Sequence, residues 1–155
     1  MAYVRASGKQ QQIAQLPAAN TSDFSGYAMY SSGNCHDEQL DKVVLIDLRI
    51  WNGTEGLSNP STLSTTDSTY HSSGQRPVRG VSMTTCWLPG TRLGVARLQA
   101  PGTNAKSEIS VFGVSFDPQT GVQIGALKTE EIVVGGDGRI SLKIQAAEAV
   151  LLYRK

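Results

Sequence analysis

Hydrophobic and polar residues alternate along much of this chain in short runs, and a period of two is typical of β-strands. The clearest run is "KVVLIDLRIW", which begins apolar on both faces and becomes charged on one of them at Asp47. We predict that the uncharged face points into a core between two sheets. The residues on that face are Val44, Ile46, Leu48 and Ile50.

Similar runs recur along the chain with turn signals between them, roughly every 8–12 residues. "EEIVV" and "RISLKI" flank "GGDG", which predicts a tight hairpin. Helix signals are scarce, and residues 2–15 could hold only one short helical turn. The pattern predicts an all-β fold, an antiparallel β-sandwich of about eight strands. The other runs are "GYAMYSS", "VRGVSMTT", "RLGVARLQA", "ISVFGVSF" and "EAVLLY".

The length of 155 residues is that of one domain with its own core. Residues 58–75 contain ten serines or threonines and predict a long polar loop, because such a segment has little to bury. We therefore expect a single sandwich domain over residues 17–155, preceded by a connecting segment at residues 1–16.

Charged residues make up only 17% of the chain, and the net charge is +1. A nearly neutral chain lacks the basic surface that binds nucleic acid or an anionic membrane. No apolar run approaches the ~20 residues of a membrane-spanning helix. These features exclude nucleic acid and membranes as the expected partners.

Serine, threonine and glycine are plentiful, as in many extracellular β proteins. Asn20 and Asn52 begin N-glycosylation sequons, although both could equally be ordinary polar turns. We predict a secreted glycoprotein. Because the amino terminus has no apolar signal-peptide region, the signal would lie on a segment outside this sequence.

The two cysteines, Cys35 and Cys86, lie at the ends of predicted strands. In an extracellular setting they are expected to form a disulfide, the alternative being two unpaired, partly buried thiols. Cys35 opens the sequence "CHDE", which contains four types of metal-binding residue. Four consecutive residues cannot all face one ion, and the spacing matches no zinc pattern, so we predict an exposed turn and no metal site.

Catalytic signals are weak. His36 and His71 could belong to a Ser-His-Asp triad, but no Gly-x-Ser-x-Gly turn is present. Glycoside hydrolysis needs two carboxyl groups about 5–9.5 Å apart, and none of the acidic residues has an obvious pocket context. We predict no catalytic residue and no cofactor. The carboxylates considered are Asp47, Glu108, Asp117, Glu130, Glu131 and Glu148.

Aromatic residues offer one possible binding function. Exposed tryptophan rings can stack on sugars, and Trp51 and Trp87 both lie at the ends of predicted strands. They are the candidate carbohydrate-binding residues. The alternative is that both rings cover the edge of the core.

The second half of the chain resembles the carboxy-terminal β domain of glycoside hydrolase family 79, which includes fungal β-glucuronidases and is related to heparanase. The resemblance rests on the order of "RLQAP" at residues 97–101, "FGVSF" at 112–116, "TG" at 120–121 and "AVLL" at 149–152. Upstream, "SGYAMYSSGNCHDEQLDKVVLIDLRIWNGT" resembles the preceding strand pair of that domain, and the segment up to residue 16 resembles the exit from a barrel helix.

The resemblance implies that both catalytic glutamates lie on a (β/α)₈ barrel, which alone needs about 250 residues. This chain would then be a non-catalytic accessory domain that packs on such a barrel, completed in the family by a strand from near the amino terminus of the full enzyme. The alternatives are a stand-alone, lectin-like module and, more remotely, a self-contained enzyme. The expected partners are a barrel domain or a second copy of the chain, bound through an exposed edge or patch, with glycans as a further candidate partner.

Overall fold

The structure is a computed structural model that describes residues 2–6, 9–31, 40–51, 75–103, 105 and 108–155. Within these ranges the chain forms strands and one short 3₁₀ helix, Pro17–Ala19, and no described helix has the length and apolar character needed to cross a membrane. The strands are β1 (Ala2–Ala6), β2 (Lys9–Gln15), β3 (Phe24–Tyr30), β4 (Leu40–Asp47), β5 (Val78–Thr84), β6 (Arg92–Gln99), β7 (Ser110–Val111), β8 (Ser115–Phe116), β9 (Gln123–Ile124), β10 (Glu130–Val133), β11 (Arg139–Gln145) and β12 (Ala149–Arg154).

The strands form two antiparallel sheets of unequal size and one separate ribbon. The large sheet has the order β1-β2-β3-β4-β12-β6-β10, with β7 also paired to β6. The small sheet consists of β5 and β11, and β8 pairs with β9 in the ribbon. The predicted all-β class and antiparallel sandwich are confirmed.

The core lies between the inner faces of the two sheets. Alternate residues of β11 are fully buried, as the period of two requires. They pack with the inward residues of the large sheet and with Trp87, whose indole nitrogen donates to Leu40 O at 2.7 Å. The core cluster is Ala19, Phe24, Ala28, Leu40, Val43, Leu45, Trp87, Leu93, Val95, Val134, Ile140, Leu142, Ile144, Val150 and Leu152.

The predicted inward face of β4 is wrong. The structure buries Val43, Leu45 and the charged Asp47, whereas Val44 and Ile46 lie on the outer face and are only half-buried. Beyond the strand, Leu48 is 50% exposed and Ile50 is half-buried. The physical reason is that Asp47 has two arginine partners inside the sandwich, so its charge does not mark an exposed face.

Three local predictions also need correction. The turn at "GGDG" does not join a hairpin, because β10 pairs with β6 in the large sheet and β11 pairs with β5 in the small sheet. The chain therefore crosses between sheets there. "ISVFGVSF" is divided by a turn into β7 and β8. In place of the short helical turn considered at the amino terminus, β1 and β2 extend the large sheet.

Candidate functional site

Charged side chains from several elements gather at one end of the sandwich. The carboxylate of Asp47, whose side chain is fully buried, accepts hydrogen bonds from Arg49 Nη2 at 2.7 Å and from Arg79 Nε at 3.2 Å. Arg79 also binds Asp23 at 2.5 Å, and its guanidinium lies 5.0 Å from the ring centre of Phe24. Arg79 of the small sheet thus connects β4 with the segment just before β3.

A second cluster surrounds Glu148, which lies just before β12 and is also fully buried. Glu148 Oε1 accepts hydrogen bonds from Arg97 Nη1 at 3.1 Å and Gln99 Nε2 at 2.8 Å, while Oε2 accepts one from Gln145 N at 2.7 Å. Arg97 also binds Glu130 through two hydrogen bonds of 2.6 and 2.8 Å. These contacts join β6, β10 and the turn between β11 and β12.

Arg76 fixes the turn beside this cluster. Its guanidinium donates to three backbone carbonyls, those of Ala146 at 2.7 Å, Ala100 at 2.9 Å and Ala147 at 3.2 Å. Burial lowers the pKa of Arg76 from its usual value, although nearby carboxylates oppose this effect. An arginine that binds only carbonyls in this way ties loops together and leaves few donors for a ligand.

The ion pairs shift the pKa values of their members. The hydrogen bond from Thr21, followed by that from Arg79, lowers the pKa of Asp23. The hydrogen bonds from Arg97 lower the pKa of Glu130, and those same contacts raise the pKa of Arg97 above its usual value although burial opposes the change. The affected carboxylates are held in their charged form, which suits structural ion pairs better than an acid catalyst that must carry a proton.

A cavity of about 370 Å³ opens beside Asp47 and Glu148. Its walls are mostly apolar and include Leu48, Leu98 and Ile109, each about half exposed. The two carboxylates lie in its wall, as a glycosidase site would require, but all their carboxylate oxygens accept hydrogen bonds from the protein. The cavity therefore favours an apolar side chain as its occupant over chemistry on a sugar.

The cavity belongs to an extended apolar surface on the outer face of the large sheet. In register, Ala149 lies between Ile46 and Leu98, and Leu151 lies between Val44 and Ala96. Leu98 also faces Val111 of β7. We call this surface the outer apolar face, and it comprises Val44, Ile46, Leu48, Ala96, Leu98, Ile109, Val111, Ala149 and Leu151.

A second cavity of about 400 Å³ lies at the open side of the sandwich. It is bounded by Leu16 and Pro17 on one side and by Val81 and Met83 of β5 on the other. Within the described part of the chain β5 pairs only with β11, so its other edge has no strand partner. An edge of this kind can accept a further strand.

The two tryptophans do not present exposed rings. Trp51 is 5% and Trp87 is 2% exposed, and the backbone N–H of Trp51 donates to Thr103 Oγ1 at 2.9 Å. Such burial does not support a sugar-stacking platform at these two residues, and their role in carbohydrate binding stays a prediction. The alternative interpretation, that both close the edge of the core, agrees with their burial.

The remaining candidates divide between described and undescribed residues. Asn20 is exposed at the end of the 3₁₀ helix, where a glycan would have space. Cys86 is half-buried against the core, and the described residues contain no free cysteine. Its pairing with Cys35 stays a prediction because Cys35 lies outside the described residues. The same holds for the rest of "CHDE", for Asn52 and His71, and for the predicted polar loop at residues 58–75 apart from Gln75. The described residues contain no cluster suited to a metal ion.

Sequence reasoning missed that Asp47 and Glu148 line one cavity. The two residues are about a hundred positions apart, and only the pairing of β4 with β12 brings them together, with Asp47 N donating to Glu148 O at 2.9 Å. One signal was available in the sequence, since Asp47 interrupts an otherwise apolar face of a strongly hydrophobic strand.

Comparisons with known proteins identify relatives of the domain. The sequence profile described as "Glycosyl hydrolase family 79 C-terminal beta domain" matches residues 26–151. Among solved structures, a 4-O-α-L-rhamnosyl-β-D-glucuronidase from Fusarium oxysporum 12S, in complex with Rha-GlcA, has a similar fold, with a TM-score of 0.63 and 23% sequence identity. The match covers 95% of this chain but only 26% of that enzyme. No curated protein sequence matches this chain.

Proposed function

The chain belongs to the family of glycosyl hydrolase family 79 C-terminal β domains, and on this basis we propose that it is a non-catalytic accessory domain that packs against the catalytic barrel of such an enzyme. The observation that carries the proposal is the outer apolar face. Exposed apolar patches of several hundred Å² usually mark interfaces. The outer face of the small sheet, by contrast, carries Ser82, Ser141 and Lys143, as expected of a surface in water.

The geometry of the outer apolar face is suited to a stable interdomain contact. The face is fixed by strands β4, β12 and β6 near the middle of the large sheet, so its side chains are held in place before a partner arrives. The cavity beside Leu48 and Leu98 could receive one large apolar side chain of the barrel. A buried anchor of this kind often supplies much of the binding energy of an interface.

The edge of β5 that has no strand partner among the described residues supports a second contact within the same assembly. A strand from elsewhere in the enzyme would pair with the backbone groups of that edge and fill the cavity between Leu16 and Met83. We propose that this edge receives the additional strand that completes the β domain in the family.

The proposal predicts that this chain alone hydrolyses no glycoside. Asp47 and Glu148 are fully engaged by arginines and other donors, and Glu130 and Glu131 point to opposite faces of β10. The measurement is release of chromophore from a chromogenic β-glucuronide at high protein concentration. Turnover above the buffer blank that disappears in the Glu130→Gln, Glu131→Gln or Glu148→Gln variant would contradict the proposal.

We also propose that the protein is secreted and carries a glycan at Asn20. The low content of charged residues and the exposure of Asn20 beside the 3₁₀ helix support this. Expression through a eukaryotic secretory pathway with peptide-N-glycosidase treatment provides the test. We expect a loss of mass that is absent in the Asn20→Gln variant; an unchanged mass would refute the glycan.

A further inference from the structure

Residues 110–128 form an arm that projects from the sandwich, and its conformation is fixed at both ends. At the base, Val111 and Val114 exchange two backbone hydrogen bonds of 2.8 and 3.0 Å around a turn. Both central residues of that turn, Phe112 at φ 54° and Gly113 at φ 75°, lie in the left-handed region, as a tight hairpin turn of this type requires. Lys128 N then donates to Phe112 O at 2.7 Å and closes the base.

The base is also attached to the large sheet. Phe112 N donates to Arg97 O at 3.2 Å, and the ring of Phe112 meets that of Tyr153 edge to face with centroids 6.3 Å apart. The ring of Tyr153 in turn lies over Gly94, where a Cβ would come within 2.4 Å of it. The arm is therefore attached beside the outer apolar face.

The tip is ordered by its own hydrogen bonds. Asp117 Oδ1 accepts hydrogen bonds from Gln119 N at 2.9 Å and from Thr120 N at 2.7 Å, and the hydrogen bonds from Thr120 and Gln119 lower the pKa of Asp117. Asp117 N donates to Val122 O at 2.9 Å, which closes the loop. The arm thus has a defined shape although none of its residues belongs to the described core cluster.

The shaft of the arm exposes apolar side chains on both of its faces. Phe116 lies opposite Gln123 on one face and is 64% exposed, whereas Ile124 lies opposite Ser115 on the other face and is 52% exposed. Val122 shares the face of Ile124 and is also exposed. A two-stranded ribbon is at best marginally stable in water, and this one carries no charged residue on its strands. Such a ribbon is suited to burial on both sides.

We propose that the arm inserts into a groove of the catalytic domain of a family 79 enzyme and is covered by that domain on both faces. This inference rests on the proposed function and names the element that holds the domain in place. Two observations point to the catalytic domain as the partner that covers the arm. The family's β domain is carboxy-terminal and therefore follows another domain. The match to the solved relative covers only 26% of that enzyme, so most of its chain lies outside the matching domain. The arm is also continuous with the outer apolar face through β7, which pairs with β6.

The test measures binding of this chain to a purified fragment of the Fusarium rhamnosyl-glucuronidase that lacks its own matching domain and is shown by circular dichroism to be folded. The variants are Phe116→Ser, Ile124→Ser and the double variant, which change one face of the arm, the other face, or both. Val78→Ser is the matched control, because Val78 is 51% exposed and lies on the small sheet, whereas the arm is attached to the large sheet. Since all these side chains are exposed, each variant should keep the melting temperature of the unaltered chain.

We expect each single arm variant to weaken binding and the double variant to weaken it at least about tenfold, as for anchor residues at an interface, with Val78→Ser unchanged. Hydrogen exchange gives a second readout: the amides of β8 and β9 should exchange more slowly in the complex than in the free chain. If the arm variants bind as well as the control and exchange in the arm is unaffected, the arm inference is overturned and the proposed function stands. If the unaltered chain does not bind, both are overturned.

Discussion

The outer faces of the two sheets differ in composition, since the small sheet is mostly polar there and the centre of the large sheet is apolar. On the small sheet, Ser82 faces Ser141 and Gly80 faces Lys143, and the two serine hydroxyls lie 3.2 Å apart. On the large sheet, the outward positions from Val44 to Ile46 of β4, from Ala149 to Leu151 of β12 and from Ala96 to Leu98 of β6 are all apolar. Both sheets contribute inward residues to the core, such as Leu45 and Leu152 of the large sheet and Ile140 and Ile144 of the small sheet, so folding of the sandwich alone does not explain the difference.

This difference shows that the alternation of apolar and polar residues along a strand does not by itself identify the face that packs in the core. β4 carries apolar residues on both faces, of which Val43 and Leu45 pack inside this domain, and under the proposed function Val44 and Ile46 face another domain. The only acidic residue on its inner face, Asp47, is neutralised by Arg49 and Arg79. In β4, the charged side chain of Asp47 is therefore buried, whereas the apolar side chains of Val44 and Ile46 are only half-buried.

The largest expected effect is a difference in stability loss between substitutions on the inner and outer faces of β4. Leu45 is fully buried, so Leu45→Ala should lower the free energy of unfolding by about 2–5 kcal/mol. Ile46→Ala, one residue away on the outer face, should cost about 1 kcal/mol or less, because its side chain is only half removed from water. Urea unfolding of both variants checks this. Equal losses would show that the outer face also packs within the isolated chain.

The sequence patterns predicted the positions of the strands better than they predicted which face of a strand is buried. β3, β4, β6 and β12 follow clear runs of alternating residues, and the antiparallel pairing of β3 with β4 follows from their order along the chain. The inward face of β4 could not be predicted, because one of the two arginines that neutralise Asp47 lies on β5, more than thirty positions away. Pairing at that distance depends on the packing of the sheets, which local alternation does not encode.

The turn at "GGDG" illustrates a second limit. Its glycines and Asp137 do form a tight turn, in which Gly138 N donates to Gly135 O at 2.9 Å. The same turn can join paired neighbours or strands of different sheets, and only the packing of β10 on β6 decides between them. Trp87 was ambiguous for a similar reason, since its burial depends on the distant acceptor Leu40 O.

A smaller effect is expected from a charge placed on either outer face. Leu98→Glu should weaken the binding of an apolar fluorescent dye to the isolated chain about tenfold, since a carboxylate at an apolar contact costs more than about 1.4 kcal/mol. Ser82→Glu, the control on the small sheet, should leave dye binding unchanged because its surroundings are polar. Dye titration at constant protein concentration measures both. Equal responses of the two variants would remove the distinction between the faces.

The smallest expected effect concerns Glu130 and Glu131, neighbouring residues whose carboxylates point to opposite faces of β10. The hydrogen bonds from Arg97 lower the pKa of Glu130 from its ordinary 4.5, so the folded chain binds fewer protons at this site than the unfolded chain. The stabilising contribution is therefore fully present above about pH 4.5 and is lost as the pH falls through the lower folded-state pKa. Because Glu130 is partly exposed, we expect a contribution of only about 0.2–1 kcal/mol.

Urea unfolding as a function of pH measures this contribution. The stabilities of the unaltered chain and of Glu130→Gln should differ above about pH 5 and converge as the pH falls below 4, since protonated glutamate resembles glutamine. Glu131→Gln is the control on the opposite face. The pKa of Glu131 is lowered by its hydrogen bond with Lys155, but both partners are exposed, so any difference should disappear in high salt. A difference for Glu130→Gln that stayed constant down to acid pH would show that its carboxylate is not held by Arg97, and the contrast between the inner and outer faces of β10 would then have no electrostatic basis.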